Sequence, residues 1–546
     1  MLNAMNGTIK YDGTISFNKL GSDSNLRFDL RDWSINAPAP VKKLAGAAMT
    51  GEVNIKTFAS EKNNANRASW SGKIGELYST QGVLGRDDEL RYSLGIGAPP
   101  NLPQEGFNLN LVSSELNLDT WRDFLAAKSP SRAQEAESNT GNIQITAQVK
   151  KLTLFDRLWQ DVNLSANNKK NVWDVKLGSL QASGQFQYQA ANKNNTSGLI
   201  SGRLTKLKIP DVISNLPTKP GSSNQATFTP DSIPSLDISI DDLSWSKARL
   251  GQIKIKTRTS DHTLKIDSIQ SDNPQGSSQI NGQWNGSTKN EAEHSTLNID
   301  MDVKDAGQII AHWTSQKSIE GGHGKVSAIV EWDGSPFNPQ YETLSGKASL
   351  NLEKGRLLEV NTSGAKILDV LSLQSLFKFA TLDIQGGLGN IVTKGTPFNS
   401  ITSNFDISNG VAQAKQFNMN LDQARVAMAG QINLSKQTQD LRITIFPTID
   451  ATAGSLAAFA INPILGLGAL VGQYLLTSQI NRSFQSDYLV QGSWDNPEVI
   501  PLDQKGQPID TQTFDSIRKK ELLMEQSKPS SNSTPNNSGS DAQTTN

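Results

Sequence analysis

The chain has 546 residues, and 52 Lys and Arg against 53 Asp and Glu give it a formal net charge of −1. This balance argues against a nucleic-acid binder and against attachment to anionic membranes by charge, so we expect no nucleic-acid partner. Cysteine is absent, which excludes a disulfide framework, Cys-ligated zinc and thiol catalysis. With 36% hydrophobic residues, the composition is poor in apolar residues for a chain this long and indicates a thin, surface-rich protein.

The N-terminal residues contain no basic stretch followed by an apolar core. They predict neither a signal peptide nor an N-terminal anchor. We therefore expect the chain to begin inside its folded architecture.

Alternation of apolar and polar residues is the dominant local pattern. Ile143 to Lys150 and Leu297 to Lys304 both place apolar side chains at every second position. Such runs predict half-buried strands. A sheet with one apolar face and one solvent-exposed polar face is typical of antiparallel strands. Turns rich in Asn, Gly, Asp and Ser separate the runs. The sequence predicts a mainly β fold built as a long antiparallel meander.

Helical signals are few. Asp119 is expected to cap a short amphipathic helix, and a second short helix is expected from Asp305 to Trp313. The segments that we expect, in chain order, are a β-rich segment with a short terminal helix (1–127), a linker (128–141), a β-rich segment (142–213), a Pro/Ser-rich loop (214–235), the main β region (236–450), an apolar helical hairpin (451–481), a closing strand (482–502), a short helix (503–527) and a disordered tail (528–546).

The segment from Ala451 to Asn481 carries no charge. A transmembrane helix needs about 20 apolar residues, but Pro463 divides this run into halves that are short for a span. Three interpretations remain open for it. We favour a packed or surface-seeking helical hairpin over a true membrane span and over ordinary core.

The search for catalytic chemistry finds no enzyme signature. Gly321 to Lys325 resembles the end of a phosphate-binding loop, but Val326 replaces the Ser or Thr that would hold magnesium, so we interpret it as a turn. No G-x-S-x-G motif occurs, and the four histidines lack metal-ligand spacing. The paired carboxylates Asp241 and Asp242 would point to opposite faces of a strand. We expect no enzyme, no metal and no cofactor.

Three tryptophans share one local design, in which a strand ends in Trp and a polar turn follows. They are Trp284, Trp332 and Trp494. Sugar-stacking platforms are one interpretation. A structural repeat in which each Trp closes the apolar edge of its strand is the interpretation that we favour.

Several stretches occur in an order and spacing that resemble one known family. They are LNLDTWRDFL (116–125), SIPSLDISIDDLSWSKARLGQIKIKT (232–257), KDAGQIIAHW (304–313), IVEWDGSPFNPQYETLSGKASLNLEKGRLLEV (329–360), SNFDISNGVAQAKQFNMN (403–420), GQINLSKQTQDLRITIFPTI (430–449) and DYLVQGSWDNPEVIPL (487–502). Together they resemble the C-terminal half of the YhdP branch of AsmA-like envelope proteins. The resemblance covers roughly residues 116–502 and includes no catalytic signature.

The resemblance implies a Gram-negative envelope protein anchored by an N-terminal helix in the inner membrane. Its periplasmic part would be a long β-sheet curled into an apolar groove that carries phospholipid toward the outer membrane. This chain departs from the family pattern because the anchor and the N-terminal half are absent from it. We therefore expect a fragment or truncated member that depends on an inner-membrane partner or on the missing half.

Elementary physics fits such a groove but does not require it. A sheet with one apolar face must cover that face, either with a second sheet or by curling around a ligand. We expect an inward stripe to touch acyl chains because its residues alternate with polar ones. Its members are Ile143, Ile145, Val175, Leu177, Ile299, Met301 and Val330.

The apolar segment 451–481 lies near the end of the chain that the resemblance places at the outer membrane. We expect it to contact that membrane through Leu467, Leu470, Val471 and Leu475. Two other functions stay open at this stage. An assembly factor for outer-membrane proteins would offer exposed strand edges to clients, and an adhesin or glycan binder should show strict or calcium-binding repeats, which the sequence lacks.

Overall fold

The computed structural model describes residues 5–59, 66–85, 89–126, 142–191, 197–211, 229–245, 248–288, 291–314, 317–358, 396–422, 424–447, 486–494, 496–503 and 505–508. Within these ranges the protein is mainly β, with two α-helices and one 3-10 helix. The expected mainly β fold is confirmed. The linker 128–141, the apolar segment 451–481, most of 503–527 and the tail 528–546 lie outside the described residues.

The strands follow the alternating runs of the sequence. The first fourteen are β1 (Met5–Gly7), β2 (Lys10–Asn18), β3 (Gly21–Asp29), β4 (Trp33–Ile35), β5 (Thr50–Phe58), β6 (Asn66–Ile74), β7 (Tyr78–Gly85), β8 (Leu90–Ile96), β9 (Gly106–Asn117), β10 (Ile143–Leu154), β11 (Arg157–Lys169), β12 (Val172–Gly178), β13 (Ala182–Gln189) and β14 (Leu199–Ile209). The others are β15 (Ser235–Trp245), β16 (Ala248–Ser260), β17 (Thr263–Asn273), β18 (Gly276–Asn285), β19 (His294–Val303), β20 (Ile319–Asp333), β21 (Ser345–Leu357), β22 (Thr396–Ser408), β23 (Val411–Leu421), β24 (Ala424–Asn433), β25 (Thr438–Pro447), β26 (Ser486–Ser493) and β27 (Asn496–Leu502). The helices are α1 (Leu118–Ala126), α2 (Ala306–Thr314) and the 3-10 helix Pro230–Ser232.

One sheet of 25 strands contains every strand except β1 and β4, which pair with each other. Each strand of the large sheet pairs with the strands before and after it in the chain, from β2 with β3 to β26 with β27. Among the described residues no register joins β2 to β27, so the pairing is a linear succession. At about 4.8 Å between neighbouring strands, the sheet extends on the order of 115 Å along its hydrogen bonds.

The sheet is mixed, so the expectation of a purely antiparallel meander is wrong at three places. β9 is parallel to both β8 and β10, and β15 is parallel to β14. A parallel neighbour requires the chain to return to the starting edge of the sheet before the next strand. Two of these connections, from β9 to β10 and from β14 to β15, correspond to the predicted linker and the predicted Pro/Ser-rich loop. Composition identifies such a loop but does not show which edge of the sheet the chain reaches after it.

The two long edges of the sheet differ. Both α-helices lie at one of them, which we call the helix edge; it contains the strand ends Asn117 and Val303 from which the helices follow. The opposite edge, which we call the turn edge, includes tight connections such as Lys170–Asn171 and Asp261–His262, where all four residues have positive φ.

The two expected helices are present, but the cap of the first was assigned to the wrong residue. Asn117 Oδ1 accepts the Thr120 backbone N–H at 3.0 Å and so caps α1. The Asp119 carboxylate instead accepts the backbone N–H groups of Phe155 and Asp156 in the β10–β11 turn. In α2 the expected start is confirmed, because Asp305 Oδ1 accepts the Gln308 N–H at 2.9 Å.

Burial changes from one end of the sheet to the other. On β2, Tyr11, Ile15 and Phe17 are 72%, 57% and 80% exposed. On β25 and β26, Leu441 and Val490 are 1% and 0% exposed, and they belong to a large apolar cluster built from β19 to β26 and α2. The apolar core is therefore concentrated in the C-terminal part of the sheet.

The glycine-rich stretch Gly321 to Lys325 was expected to be a turn, and this expectation is wrong. These residues lie inside β20, and all of them except Gly322 pair with β21. Gly321 and Gly322 have φ values of 63° and 83°, a region that glycine enters without steric cost. The glycines that suggested a turn in the sequence instead allow this irregular backbone within the strand.

Candidate lipid-binding face

One row of directly opposed residues crosses the whole 25-strand sheet, and we call it the central row. Directly opposed residues point to the same side of a sheet. The row consists of Gly13, Leu26, Val53, Gly72, Thr80, Leu94, Leu109, Ile145, Ala166, Val175, Phe186, Gly202, Ile238, Ile255, Ile269, Ile280, Ile299, Ala328, Ala348, Phe405, Ala414, Gly430, Leu441, Val490 and Val499. Thr80 is its one polar member, and the side that it marks is the apolar face.

A second row on each side of the central row is also uncharged, although it includes polar members such as Asn168 and Gln439. One runs from Tyr11 on β2 to Pro501 on β27, and the other from Ile15 to Pro497. No Asp, Glu, Lys or Arg occurs at any position of the three rows, in a chain of which 19% is charged. The apolar face is thus an uninterrupted uncharged surface across all 25 strands.

The opposite face is polar along a row that crosses the sheet from β2 to β23. A register row on that side runs from Asp12 on β2 to Gln416 on β23, and Gly95 is its one member without a polar side chain. Lys254, Gln270, Gln279 and Asp300 are consecutive members of it. Two chemically distinct faces follow directly from the period-two alternation of the sequence.

All seven residues of the predicted stripe lie on the apolar face. Ile145, Val175 and Ile299 belong to the central row, and the other four belong to the two rows beside it. Val175 is buried and the other six are half-buried. The stripe forms two groups, one on β10 and β12 and one on β19 and β20, with β13 to β18 between them. The full stripe is Ile143, Ile145, Val175, Leu177, Ile299, Met301 and Val330.

Sequence reasoning missed the centre of this face. Ile238, Ile255, Ile269, Ile280 and Ile299 stand directly opposite one another on β15 to β19 and form an isoleucine ladder. The four before Ile299 were not in the predicted stripe. Bulges in the β15–β16, β16–β17 and β17–β18 pairs interrupt the simple alternation that would have marked them.

A wall of aromatic residues borders the apolar face at the turn edge of β18 to β20. Trp284 is 0% exposed and Trp332 is 5% exposed, and both lie in one register row with Ser295 between them. The Phe337 ring meets the Trp284 ring edge-on at 5.8 Å. The favoured structural interpretation of these two tryptophans is confirmed, since each closes the apolar edge of its strand.

Helix α2 borders the same strands at the helix edge. Ile309 and Ile310 pack against the apolar cluster that contains Val303 and Phe398. The helix contacts β20 and also β16. Strand β18 measures about 27 Å from Gly276 beside this helix to Trp284 at the opposite wall, at about 3.4 Å per residue.

A concavity on the polar face is chemically unsuited to acyl chains. Its lining includes Lys254, Asp272, Asp300, Asp302 and Lys325. Lys325 and Asp302 form an ion pair across it at 3.6 Å. The apolar surface of the sheet is therefore the candidate site, and this hollow is not.

Tyrosine is the only titratable residue type in the three apolar rows. Tyr78 is in one of them, and burial raises the pKa of its hydroxyl, which donates a hydrogen bond to the Pro40 carbonyl at 2.6 Å. The Asp267 carboxylate, whose pKa is lowered by its hydrogen bonds with Arg258, lies outside the three rows. In the part of the chain that the structure describes, no group of three His, Asp or Glu residues could hold a metal.

The four predicted membrane-contact residues, Leu467, Leu470, Val471 and Leu475, lie outside the described residues. The strands that flank their segment are described. Pro447 at the end of β25 and Ser486 at the start of β26 both lie at the helix edge, close to the last strand of the sheet. No helix in the described ranges is long and apolar enough to cross a membrane.

The sequence of this chain matches a protein-family model and a known protein. The sequence model described as YhdP protein matches residues 1–499. The intermembrane phospholipid transporter YhdP of Escherichia coli (strain K12) is 24% identical over 516 residues, which cover 91% of this chain and 39% of that protein. The chain thus spans about two fifths of the length of this relative. No solved structure matches the chain significantly.

Proposed function

Since this chain belongs to the YhdP family, we propose that it conducts phospholipid along its apolar face, as part of a periplasmic bridge between the inner and outer membranes. The conduction requires no catalysis. The observation that carries the proposal is the central row, which crosses 25 strands from Gly13 to Val499 without a charged residue. The E. coli relative, whose printed name is that of a phospholipid transporter, supports phospholipid as the cargo.

The energetics of lipid transfer explain why an uninterrupted apolar surface is needed. Moving a two-chain lipid with about 30 methylenes from a bilayer into water costs on the order of 24 kcal/mol, at about 0.8 kcal/mol per methylene. A continuous apolar path keeps the acyl chains out of water at every step, and the head group can remain hydrated at an edge of the sheet. Even one unpaired charge on this path would restore a barrier of several kcal/mol.

The proposed function requires the sheet to curl around the acyl chains. The described ranges contain no second sheet large enough to cover the apolar face, since β1 and β4 have three residues each. Six of the seven stripe residues are nevertheless half-buried. We propose that the sheet forms a trough around the lipid, with the polar face outside.

Contact with the membranes is a further part of the proposal. The uncharged segment 451–481 leaves the sheet at the helix edge two strands before its C-terminal end, and we propose that it delivers lipid to the outer membrane. An inner-membrane partner, or further sequence of the same protein, would load lipid at the other end. We therefore propose the periplasm of the cell envelope as the location of the protein.

Site-specific photo-crosslinking tests the proposal. Crosslinking residues at Ile299 and Ile145 should capture phospholipid, because both positions lie on the central row. A crosslinker at Asn298, whose side chain bonds Asn281 on the polar face, is the matched control and should capture none. Equal capture at Ile299 and Asn298 would contradict the trough and would favour the alternative function, an envelope assembly factor.

Replacing Ile299 with Asp tests transport directly. Its central-row neighbours Ile280 and Ala328 offer no hydrogen bond or opposite charge, so the carboxylate should stop lipid more than it disturbs folding. Lipid transfer between donor and acceptor vesicles is the readout, and Asn298→Asp is the control for the added charge. Normal transfer by a well-folded Ile299→Asp variant would remove Ile299 from the path.

A further inference from the structure

Five strands, β16 to β20, differ from the rest of the apolar face because walls rise at both of their edges. Helix α2 lies along the helix edge, and Trp284 with Phe337 lies at the turn edge. The floor between them consists of Ile255, Ile269, Ile280, Ile299 and Ala328, all half-buried. We call these five strands the walled section.

The surface on either side of the walled section has a different accessibility. Toward the N-terminus, Tyr11 and Phe17 on β2 are 72% and 80% exposed. Toward the C-terminus, Met428 and Val490 are 4% and 0% exposed. The floor of the walled section is neither as exposed as β2 nor as buried as the C-terminal core, so it is both sheltered from water and accessible to a ligand.

Contacts within the protein hold the wall at the helix edge in place. Helix α2 contacts β16 and β20, the first and last strands of the section. Gln308 Oε1 accepts a hydrogen bond from Gln275 Nε2 in the β17–β18 turn at 2.9 Å. The helix seats closely on the sheet at Gly307, where an added Cβ would be 2.3 Å from the Ile319 carbonyl oxygen.

The wall at the turn edge is held by a separate set of contacts. Trp284 Nε1 donates a hydrogen bond to Glu293 Oε1 at 2.8 Å, and the 3-10 helix Pro230–Ser232 contacts β16 and β17 at the same edge. Asp231 accepts the His262 backbone N–H at 3.2 Å and also contacts the imidazole ring. Because contacts within the protein fix both walls, the walled section is preorganised. Binding of a lipid there therefore costs little conformational entropy of the protein.

We infer that the walled section is a discrete resting site for the acyl chains of one phospholipid at a time. Lipid would then occupy the trough in steps, with β16 to β20 filled first, rather than evenly along its length. The floor measures about 27 Å by about 19 Å, from the strand rise and the spacing of five strands. This inference rests on the proposed function and adds the place where the lipid pauses.

Crosslinking at limiting lipid tests the resting site. Three central-row positions should carry the photo-crosslinker in separate variants: Ile280 in the walled section, and Ile145 and Phe405 outside it. With less than one phosphatidylethanolamine molecule per chain, capture at Ile280 should exceed capture at the other two severalfold. With excess lipid, all three positions should capture it.

The outcomes separate the two proposals. Equal capture at the three positions under limiting lipid would overturn the resting site and leave the conducting trough intact. No capture at any of them, even with excess lipid, would overturn the trough itself. A crosslinker at Asn298 on the polar face reports nonspecific capture in both experiments.

A second test moves the wall without changing the floor. Gly307→Val should push α2 away from Ile319, so capture at Ile280 under limiting lipid should fall to the level at Ile145. Gly178→Val is the matched control, because an added Cβ there meets nothing within 4 Å. If circular dichroism shows that Gly307→Val does not fold, Gln308→Ala takes its place in the test. Gln308→Ala removes the hydrogen bond between α2 and Gln275. Unchanged preference for Ile280 in a folded variant would overturn the role of α2.

Discussion

The Trp70 indole lies directly over Gly82, its cross-strand partner on β7, so that a Cβ added to Gly82 would be 1.9 Å from the Trp70 Cζ2 atom. Both residues belong to one of the rows beside the central row. A bulky ring over a glycine keeps the apolar face continuous where the glycine has no side chain. The same arrangement recurs where Phe398 covers Gly355.

Gly82→Ala should therefore destabilise the protein by about 1–3 kcal/mol, the usual cost of overpacking a fitted site. The cost should nearly vanish in a Trp70→Ala background, because the clashing ring is gone. Urea unfolding of the four proteins in this double-mutant cycle measures the coupling. Equal costs of Gly82→Ala in both backgrounds would show that the ring does not rest on the glycine.

The buried carboxylate of Asp487 should be one of the most sensitive positions on the polar side of the sheet. Its side chain is 2% exposed, pairs with Arg442 Nη2 at 3.0 Å and accepts the Thr444 hydroxyl at 2.5 Å. Asp487→Ala takes this acceptor from a partly buried guanidinium, so the free energy of unfolding should fall by about 3–5 kcal/mol.

The exposed pair of Asp242 and Arg249 provides the control for Asp487. Its two side chains are 40% and 74% exposed, and exposed pairs contribute about 0–1 kcal/mol. Chemical denaturation of Asp242→Ala and Asp487→Ala should separate the two costs clearly. Equal small losses would mean that water reaches Asp487.

Tyr78 makes the stability of the N-terminal strands dependent on alkaline pH. Burial raises the pKa of its hydroxyl above the usual value near 10. The folded state therefore keeps the proton to higher pH than the unfolded state does. The resulting stabilisation is complete below the unfolded pKa and is lost as pH rises through the folded pKa.

Tyr78→Phe should remove this alkaline loss and should cost about 0.5–1.5 kcal/mol at neutral pH, because the hydrogen bond to Pro40 disappears. Unfolding free energies of wild type and variant, measured from neutral to alkaline pH, give the difference. Tyr11→Phe is the control, since Tyr11 is 72% exposed. Parallel pH curves for wild type and Tyr78→Phe would contradict the assignment.

Much of this fold could be predicted from the sequence because its signals are local. Alternation identified β10 and β19, Asp305 identified the start of α2, and the repeated turn after Trp284 and Trp332 identified the edge that they close. Each depends on residues within a few positions of one another. The family resemblance was equally accessible, because it rests on the order of such stretches.

Register and direction could not be predicted in the same way. The parallel pairing of β9 with β10 depends on where a long connection leads, which composition does not record. The isoleucine ladder from Ile238 to Ile299 depends on the alignment of five strands of unequal length, several of them with bulges. Register is set by turns and by burial together, so the ladder becomes visible only when the strands are paired.

The uncharged segment between Asp450 and Arg482 gives the last prediction. Its flanking strands β25 and β26 pair directly with each other from Thr438 to Ile445, so the sheet does not depend on the segment for its continuity. Pro463 and the glycines divide the segment into halves too short to span a bilayer comfortably, which favours two helices that fold back at the membrane surface. Deleting residues 454–477 should therefore leave the β signal in circular dichroism intact and abolish binding to liposomes.

A second deletion supplies the control for this experiment. Removing the polar tail 528–546 should leave liposome binding unchanged, because the tail has no large apolar residue to insert into a bilayer. Co-sedimentation with vesicles of phosphatidylethanolamine and phosphatidylglycerol compares the two deletions with the full chain. If the 454–477 deletion unfolds the sheet, or if the full chain does not sediment with vesicles, the segment serves packing, and delivery to the outer membrane must be assigned elsewhere.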